Sequence, residues 1–345
     1  MKKIYLLLII VISTSLNLGC EKDKEYSDYN MDMYAMGSYI NVTIYSQTTV
    51  DNQIFDSIKN TIVNIDNNIS INNEEIISEI DKINKNAGKK YVSVSKDTFE
   101  LIEESIKYAK ETNRHNDISI GAVVKLWNIG FENASVPNDK DIDGALKLCN
   151  IDDIELDYKS NSVKLRKQGM IIDLGSIAKG YVGEKVKSII LDAGYEKALL
   201  NIGGNIVCVG TKSDNLPYKV AIRDGNKGNN DYLGILEVEN KSVVSSGIYE
   251  RNFKQNGKLY HHILDTNTGY PVKNELLGVS VISENSTYCD ALSTALLSMG
   301  AKEGMKFVES RDNVEAIFIT KDNKIYLSKG IRDKFKLTSQ DYKLM

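Results

Sequence analysis

The sequence is poor in several of the features that usually mark a function. Only 3 prolines occur in 345 residues, which leaves no proline-rich linker. Lys and Arg number 43 against 47 Asp and Glu, a net charge of -4 with both signs interspersed. That gives no basic footprint for nucleic acid. Four cysteines are present, and no CxxC pair is among them. The three after Cys20, namely Cys149, Cys208 and Cys289, are an odd set with no metal-ligand or disulfide spacing. They read as small buried hydrophobes. There are 3 histidines and a single Trp. No internal repeat and no Walker A or Rossmann glycine fingerprint occurs.

What is present begins at the N-terminus. Lys2 and Lys3 precede an apolar run from Ile4 to Ile12, then small or neutral residues up to Cys20. The run is too short to span a bilayer and suits a secretory signal. A Cys directly after Leu18 and Gly19 resembles the bacterial lipoprotein cleavage signal, although Asn17 stands where an aliphatic residue is usual. Glu21 to Tyr34 is polar and reads as a tether.

The rest alternates between two periodicities. Tyr39–Tyr45 reads as a strand, and Ile54, Ile58, Ile62 and Ile65 fall at helical spacing within Asp51–Ile69. Helices are also predicted over 74–84, 98–112 and 178–191, and from a cap at Ser286 or Thr287 to Met299. A hairpin is predicted from 163–165 and 170–174, and one buried strand over 198–209. Further strands are expected at 218–223, 233–238, 242–245, 260–264, 278–282, 316–320 and 324–327. The mixed order points to an α+β or α/β protein without a long inter-domain linker.

Five segments carry residues suited to chemistry. Asp173-Leu-Gly-Ser-Ile-Ala-Lys-Gly-Tyr181 lies between an expected strand and a helix. Its glycines allow close approach, its helix start attracts anions, and Lys179 adds charge. As plain structure it is a glycine-containing turn. Asp290-Ala-Leu-Ser-Thr294 puts a carboxylate and a hydroxyl four apart on a helix. With a carbonyl from the Gly175 turn they suit a hard cation completed by phosphate oxygens. The structural alternative is an acidic first turn. His261 and His262 are adjacent on a strand end, so they face opposite ways and one can act as a base. Ser245 to Arg251 offers Arg251 to a phosphate or to Glu250. Asn116 to Gly130 contains Trp127, either a core aromatic or a pocket wall.

Taken in order, these segments resemble the ApbE family, the FAD:protein FMN transferases. The resemblance runs from about Met36 to about Ile319. It includes Met36-Gly-Ser, Asp117-Ile-Ser-Ile-Gly with Leu126-Trp127, and Asp173-Leu-Gly-Ser-Ile-Ala-Lys-Gly-Tyr181. Asn201-Ile-Gly-Gly-Asn205, Ser246-Gly-Ile-Tyr-Glu-Arg251, His262-Ile-Leu-Asp265 with Thr268-Gly-Tyr-Pro271, and Asp290-Ala-Leu-Ser-Thr294 complete it. His261, Thr266, Ala122, Asn205 and Asn72 depart from the residues common there. The resemblance implies a mixed, largely antiparallel sheet flanked by helices. It implies a signal peptide at 1–19, a lipid-anchored tether at 20–34 and a transferase domain at 35–345. It implies that Mg2+ is held by Asp290, Thr294 and the carbonyl of Ser176. Met36, His115, Asn116, Asp117, Asp173, Lys179 and Ile263 would line the FAD site, with His262 as base. The implied partner is an acceptor flavoprotein, such as a subunit of a membrane electron-transport complex or an exported reductase. Its Thr or Ser hydroxyl takes FMN as AMP leaves. The implied location is the outer face of a bacterial cytoplasmic membrane, anchored through Cys20. The competing readings are an FAD pyrophosphatase, a non-catalytic flavin-binding lipoprotein and a solute-binding lipoprotein. The last needs paired lobes, of which the sequence shows no sign.

Overall fold

The computed structural model describes residues 25–71, 75–228 and 231–345. The expected signal peptide, Cys20 and Asn72 lie outside the described residues. The chain opens with an antiparallel pair, β1 (Ser27–Ala35) and β2 (Ser38–Ser46). Then come α1 (Asn52–Ile69), α2 (Glu79–Lys85), β3 (Val92–Ser93), α3 (Lys96–Glu111), α4 (Gly121–Trp127) and α5 (Asp139–Leu146). β4 (Ile154–Asp157) and β5 (Ser162–Leu165) lead to α6 (Ala178–Asp192). Seven strands follow: β6 (Ala198–Ile202), β7 (Asn205–Val209), β8 (Tyr218–Arg223), β9 (Tyr232–Val238), β10 (Ser242–Gly247), β11 (Asn252–Gln255) and β12 (Lys258–His261). The chain closes with β13 (Leu276–Ser283), α7 (Ser286–Met299), α8 (Ala301–Glu309), β14 (Glu315–Thr320), β15 (Lys324–Leu327), β16 (Phe335–Leu337) and β17 (Lys343–Leu344).

Nine strands form the main sheet in the order β1-β2-β6-β7-β10-β13-β14-β15-β17. Every pairing is antiparallel except β15 with β17. This is the mixed, largely antiparallel sheet expected from the sequence. Its interior strand β13 is buried at all eight positions, so both faces are covered there. The helix α7 packs on β10 and β13 and against α6, which in turn meets α1.

Local sequence explains these elements. Asp51 caps α1 by accepting from the N–H of Gln53 at 2.9 Å. Ile54, Ile58, Ile62, Ile65 and Ile69 then form its buried stripe. Each fully buried Ile contributes about 1.5–3 kcal/mol. Asn285, not Ser286 or Thr287, caps α7 by accepting from the N–H of Tyr288 at 2.7 Å. Gly300 ends that helix at φ 85. The three free cysteines are buried, as expected of small hydrophobes.

Four further expectations change. Residues 27–34 are not tether: β1 pairs with β2 through nine successive positions, burying Met31 and Ala35. The helix expected at 74–84 starts only at Glu79, because Ser78 and Asp81 form a capping box there. The stretch 198–209 is two strands, since Gly203 and Gly204 both take positive φ and reverse the chain. The hairpin of 163–165 with 170–174 does not form, because β5 pairs with β3 and β4 instead. Residues 170–174 stay outside the sheets. The Asn84 side chain accepts from Ile172 N at 2.9 Å and donates to Ile172 O at 3.1 Å, replacing a strand partner. Asp173 N donates to Ile118 O at 2.9 Å.

Candidate active site

The site is assembled where the start of α6 meets α7. The side chains that make this possible are the absent ones of Gly180 and Gly183. A Cβ on Gly180 would lie 2.4 Å from Ser286 O and 2.6 Å from Asp290 Cβ. With hydrogen there instead, α7 comes close enough for Asp290 Oδ2 to accept from Gly180 N at 2.8 Å. The sequence suggests that this helix start is open to a ligand anion. In the structure the Gly180 N–H is already taken by the protein's own carboxylate. The positive end of α6 thus stabilises Asp290.

Asp290 is 4% exposed. Burial pushes its pKa up, while Lys179 and the Gly180 N–H pull it down. It has no salt-bridge partner among the described residues. Asn205 lies beside it and favours its charged form. The Asn205 side chain is itself buried. A buried carboxylate without a paired cation suits a site for a cation.

The other oxygen donors are close by. Thr294, one turn along α7, is half-buried, and its Oγ1 lies 3.4 Å from Ser246 Oγ. Asn116 ties the Gly175 turn to α7, accepting from Ser176 Oγ at 2.8 Å and donating to Ala291 O at 3.0 Å. Asp290, Thr294 and the Ser176 carbonyl are therefore carried by two elements that one side chain clamps together. Among the described residues no group of three His, Cys, Asp or Glu side chains could hold a metal. A cation here has few protein ligands, as a hard ion completed by phosphate oxygens requires.

The two histidines have opposite roles. His261 is 5% exposed, and its Nε2 donates to Val272 O at 3.0 Å. At His262 it is Nδ1 that lies 3.1 Å from a carbonyl, that of Arg251. A carbonyl only accepts, so Nδ1 carries the proton and Nε2 keeps its lone pair. Burial lowers the pKa of His262 to about 4, helped by the charges of Arg251 and Lys179. His262 is thus a neutral base with one nitrogen fixed and the other free.

The remaining residues divide. Lys179 is near enough to influence Asp290, Glu250 and His262, so it sits centrally. Asp173 accepts from Gly175 N at 2.8 Å, and packing around it raises its pKa against the pull of Arg251. Met36 occupies the β1–β2 turn at φ 53, its N–H donating to Asp66 at 2.8 Å. Ser38, two residues on, abuts Gly203, as does Lys179. Ile263 is buried and its carbonyl accepts from Val272 N at 3.0 Å. Asp117 is 3% exposed, and both its oxygens are used within its own loop, by Arg114 Nε at 2.6 Å and Ser119 N at 2.8 Å. Its side chain shapes the loop rather than reaching a ligand. His115 Nδ1 lies 3.0 Å from Ser298 Oγ, two turns along α7 from Asp290. Trp127 is core: it is 1% exposed, donates to Gly269 O at 2.8 Å and packs on Tyr260 and Tyr270. Arg251 makes no ion pair with Glu250 among the described residues.

Ser246, Ser293 and Tyr249 lie within motifs read from the sequence but were given no role there. The Tyr249 ring fills the space that Cβ atoms on Gly225 and Gly247 would occupy, at 2.1 and 2.3 Å. Arg223 lies over it at 4.9 Å. This seats the 245–251 segment beside α7.

The sequence profile described as the ApbE family matches residues 36–318. The FAD:protein FMN transferase of Klebsiella pneumoniae (strain 342) is 35% identical over 317 residues, 92% of this chain and 97% of the relative. That of Treponema pallidum (strain Nichols) is 33% identical over 273 residues, 75% of each chain. Among solved structures, the ApbE protein of Thermotoga maritima superposes with a TM-score of 0.80 at 30% identity. The match covers 88% of this chain and 97% of that one. The flavin transferase ApbE of Vibrio cholerae gives a TM-score of 0.78 at 24% identity, covering 90% and 99%, which speaks for the fold alone.

Proposed function

Because the chain belongs to the ApbE family, we propose that it is an FAD:protein FMN transferase whose Mg2+-dependent chemistry runs at the α6–α7 corner. The substrate is FAD, and the acceptor is a Thr or Ser hydroxyl on another flavoprotein. The observation that carries this reading is the Gly180 N–Asp290 bond of 2.8 Å, which sets a buried carboxylate beside the Gly175 turn.

Asp290, Thr294 and the Ser176 carbonyl would hold the ion, and Asn116 keeps their two elements in register. The ion would neutralise the diphosphate and orient it for in-line attack. Lys179 adds a second positive charge facing Asp290, Glu250 and His262. The free Nε2 of His262 takes the proton from the acceptor hydroxyl as oxygen bonds to the FMN phosphorus. The bond to the AMP phosphate breaks and AMP leaves. Met36 and Ile263 supply apolar walls for the flavin.

We further propose export and anchoring through a lipid on Cys20. Among the described residues no helix is long and apolar enough to cross a membrane. Mass measurement after metabolic labelling with a fatty acid, compared between the unaltered chain and Cys20→Ala, tests the anchor. For the activity, the chain is incubated with FAD, Mg2+ and candidate acceptors. Transfer gives an acceptor heavier by one FMN, with protein-bound yellow fluorescence. Release of FMN and AMP with no labelled protein would instead establish the pyrophosphatase reading.

A further inference from the structure

Thr294 can serve a cation only if its hydroxyl presents lone pairs, and the structure contains a device that sets this. Ser293 Oγ donates to the Asp290 carbonyl at 2.9 Å. A hydroxyl has one proton, so Ser293 has none left to give. Ser246 Oγ lies 2.7 Å from Ser293 Oγ, and Ser246 must be the donor there. Its proton is then also committed. Thr294 Oγ1 is 3.4 Å from Ser246 Oγ, so in that contact Thr294 donates and Ser246 accepts. The order of protons runs Thr294 to Ser246 to Ser293 to the backbone of Asp290. Its two ends are the two side-chain-bearing residues assigned to the ion.

We infer that Ser246 is a positioning residue that fixes the polarity of the Thr294 hydroxyl, turning its proton inward and its lone pairs toward the cation. This rests on the reading of Asp290 and Thr294 as ion ligands. At 3.4 Å the last link is long for an O–H···O bond. It orients Thr294 more than it holds it. Ser246 itself has little freedom. It pairs with Val279 in the sheet, and the seated Tyr249 ring follows three residues later. Without its hydroxyl, Thr294 has no side-chain acceptor at that point, and its proton can swing toward the ion. Outer partners of metal ligands typically matter by about 10–100-fold in affinity.

The test is Mn2+ binding to the exported chain, read as loss of the free-ion paramagnetic resonance signal, with circular dichroism melts to confirm folding. Ser246→Ala is expected to weaken Mn2+ binding on the order of tenfold, and Ser246→Thr to recover most of it. Ser293→Ala frees the Ser246 proton to point at Thr294, so it also weakens binding, and it decides the matter alone if Ser246→Ala does not fold. Ser280→Ala breaks the neighbouring Ser245–Ser280 contact of 2.7 Å, which is outside the chain of protons, and leaves affinity unchanged. Unchanged affinity in folded Ser246→Ala, or an equal loss in Ser280→Ala, overturns the assignment. If the unaltered chain binds no Mn2+, with or without FAD, the ion site itself fails and the role of Ser246 falls with it.

Discussion

The corner at Asp290 and the rim that carries His262 are built in different ways. The corner is made by two helices pressed together at Gly180 and Gly183, and its polar atoms point into protein. The rim is made of turns, each tied to another by side chains. Thr266 Oγ1 donates to Arg114 O at 2.8 Å, Trp127 to Gly269 O at 2.8 Å, and Arg114 Nη2 to Cys149 O at 2.8 Å. A cation needs oxygens at fixed positions, which packed helices supply. A base that must meet a hydroxyl on a second protein needs only a fixed ring and an open approach, which turns supply. Damage to the corner should therefore abolish chemistry and ion binding together. Damage to the rim should separate them.

The largest effect is expected at the corner. Asp290→Ala should reduce transfer at least about 100-fold, the rate equivalent of ~3 kcal/mol of lost electrostatic stabilisation, and should also abolish Mn2+ binding measured by titration. His262→Ala comes next. It should cost about 10²–10⁴ in kcat, the usual contribution of a general base, while FAD and Mn2+ bind as before. Equal loss of ion binding in both variants would erase the distinction between the regions. The pH profile sharpens it. With His262 lowered to about 4, the neutral base persists into acid, so its limb of the kcat/KM profile falls only as pH drops through about 4.

Gly180→Ala is expected to cost ~1–3 kcal/mol of stability by overpacking α6 on α7, seen as a lower urea midpoint, with ion affinity reduced as Asp290 is displaced. The smallest effect is on the rim. His261, lowered by burial to about 4, must bind a proton in the unfolded chain from pH 6.5 downward before it does so in the folded one. Stability should thus fall as pH drops from about 6.5 to about 4, and level off below. His262 carries the same shift, so His261→Gln should remove only about half of that slope in urea titrations at pH 7 and pH 5, without touching Mn2+ affinity.

Spacing alone left Asp290 and Thr294 open between an acidic first turn and a cation site, and the ordered resemblance singled them out as ligands. Asp290 and Thr294 are four apart on a helix buried on most of its sides, and Gly175 and Gly180 around Lys179 allow a close approach. The partners of those residues were hidden, because Ser246 reaches Thr294 across 48 positions and from a strand. No periodicity carries that information. The strand β1 was hidden for a different reason. Its outward residues are polar because it lies at a sheet edge, and composition of that kind reads as linker. Residues 170–174 looked like a strand because they are extended and apolar. Their hydrogen bonds go to Asn84 and Ile118 instead of to a neighbouring strand. The two histidines were expected to face opposite ways, but which ring nitrogen of each is fixed depends on the carbonyls of Val272 and Arg251, which no spacing in the sequence reveals.

β1 is held by backbone bonds along one side only, with β2. Such a border strand is the part of a sheet that frays first. Its last residue leads straight into Met36, so transient peeling would take the proposed flavin wall with it. Ligand occupancy should then be recorded at a distance, as slower amide deuteration along residues 27–35.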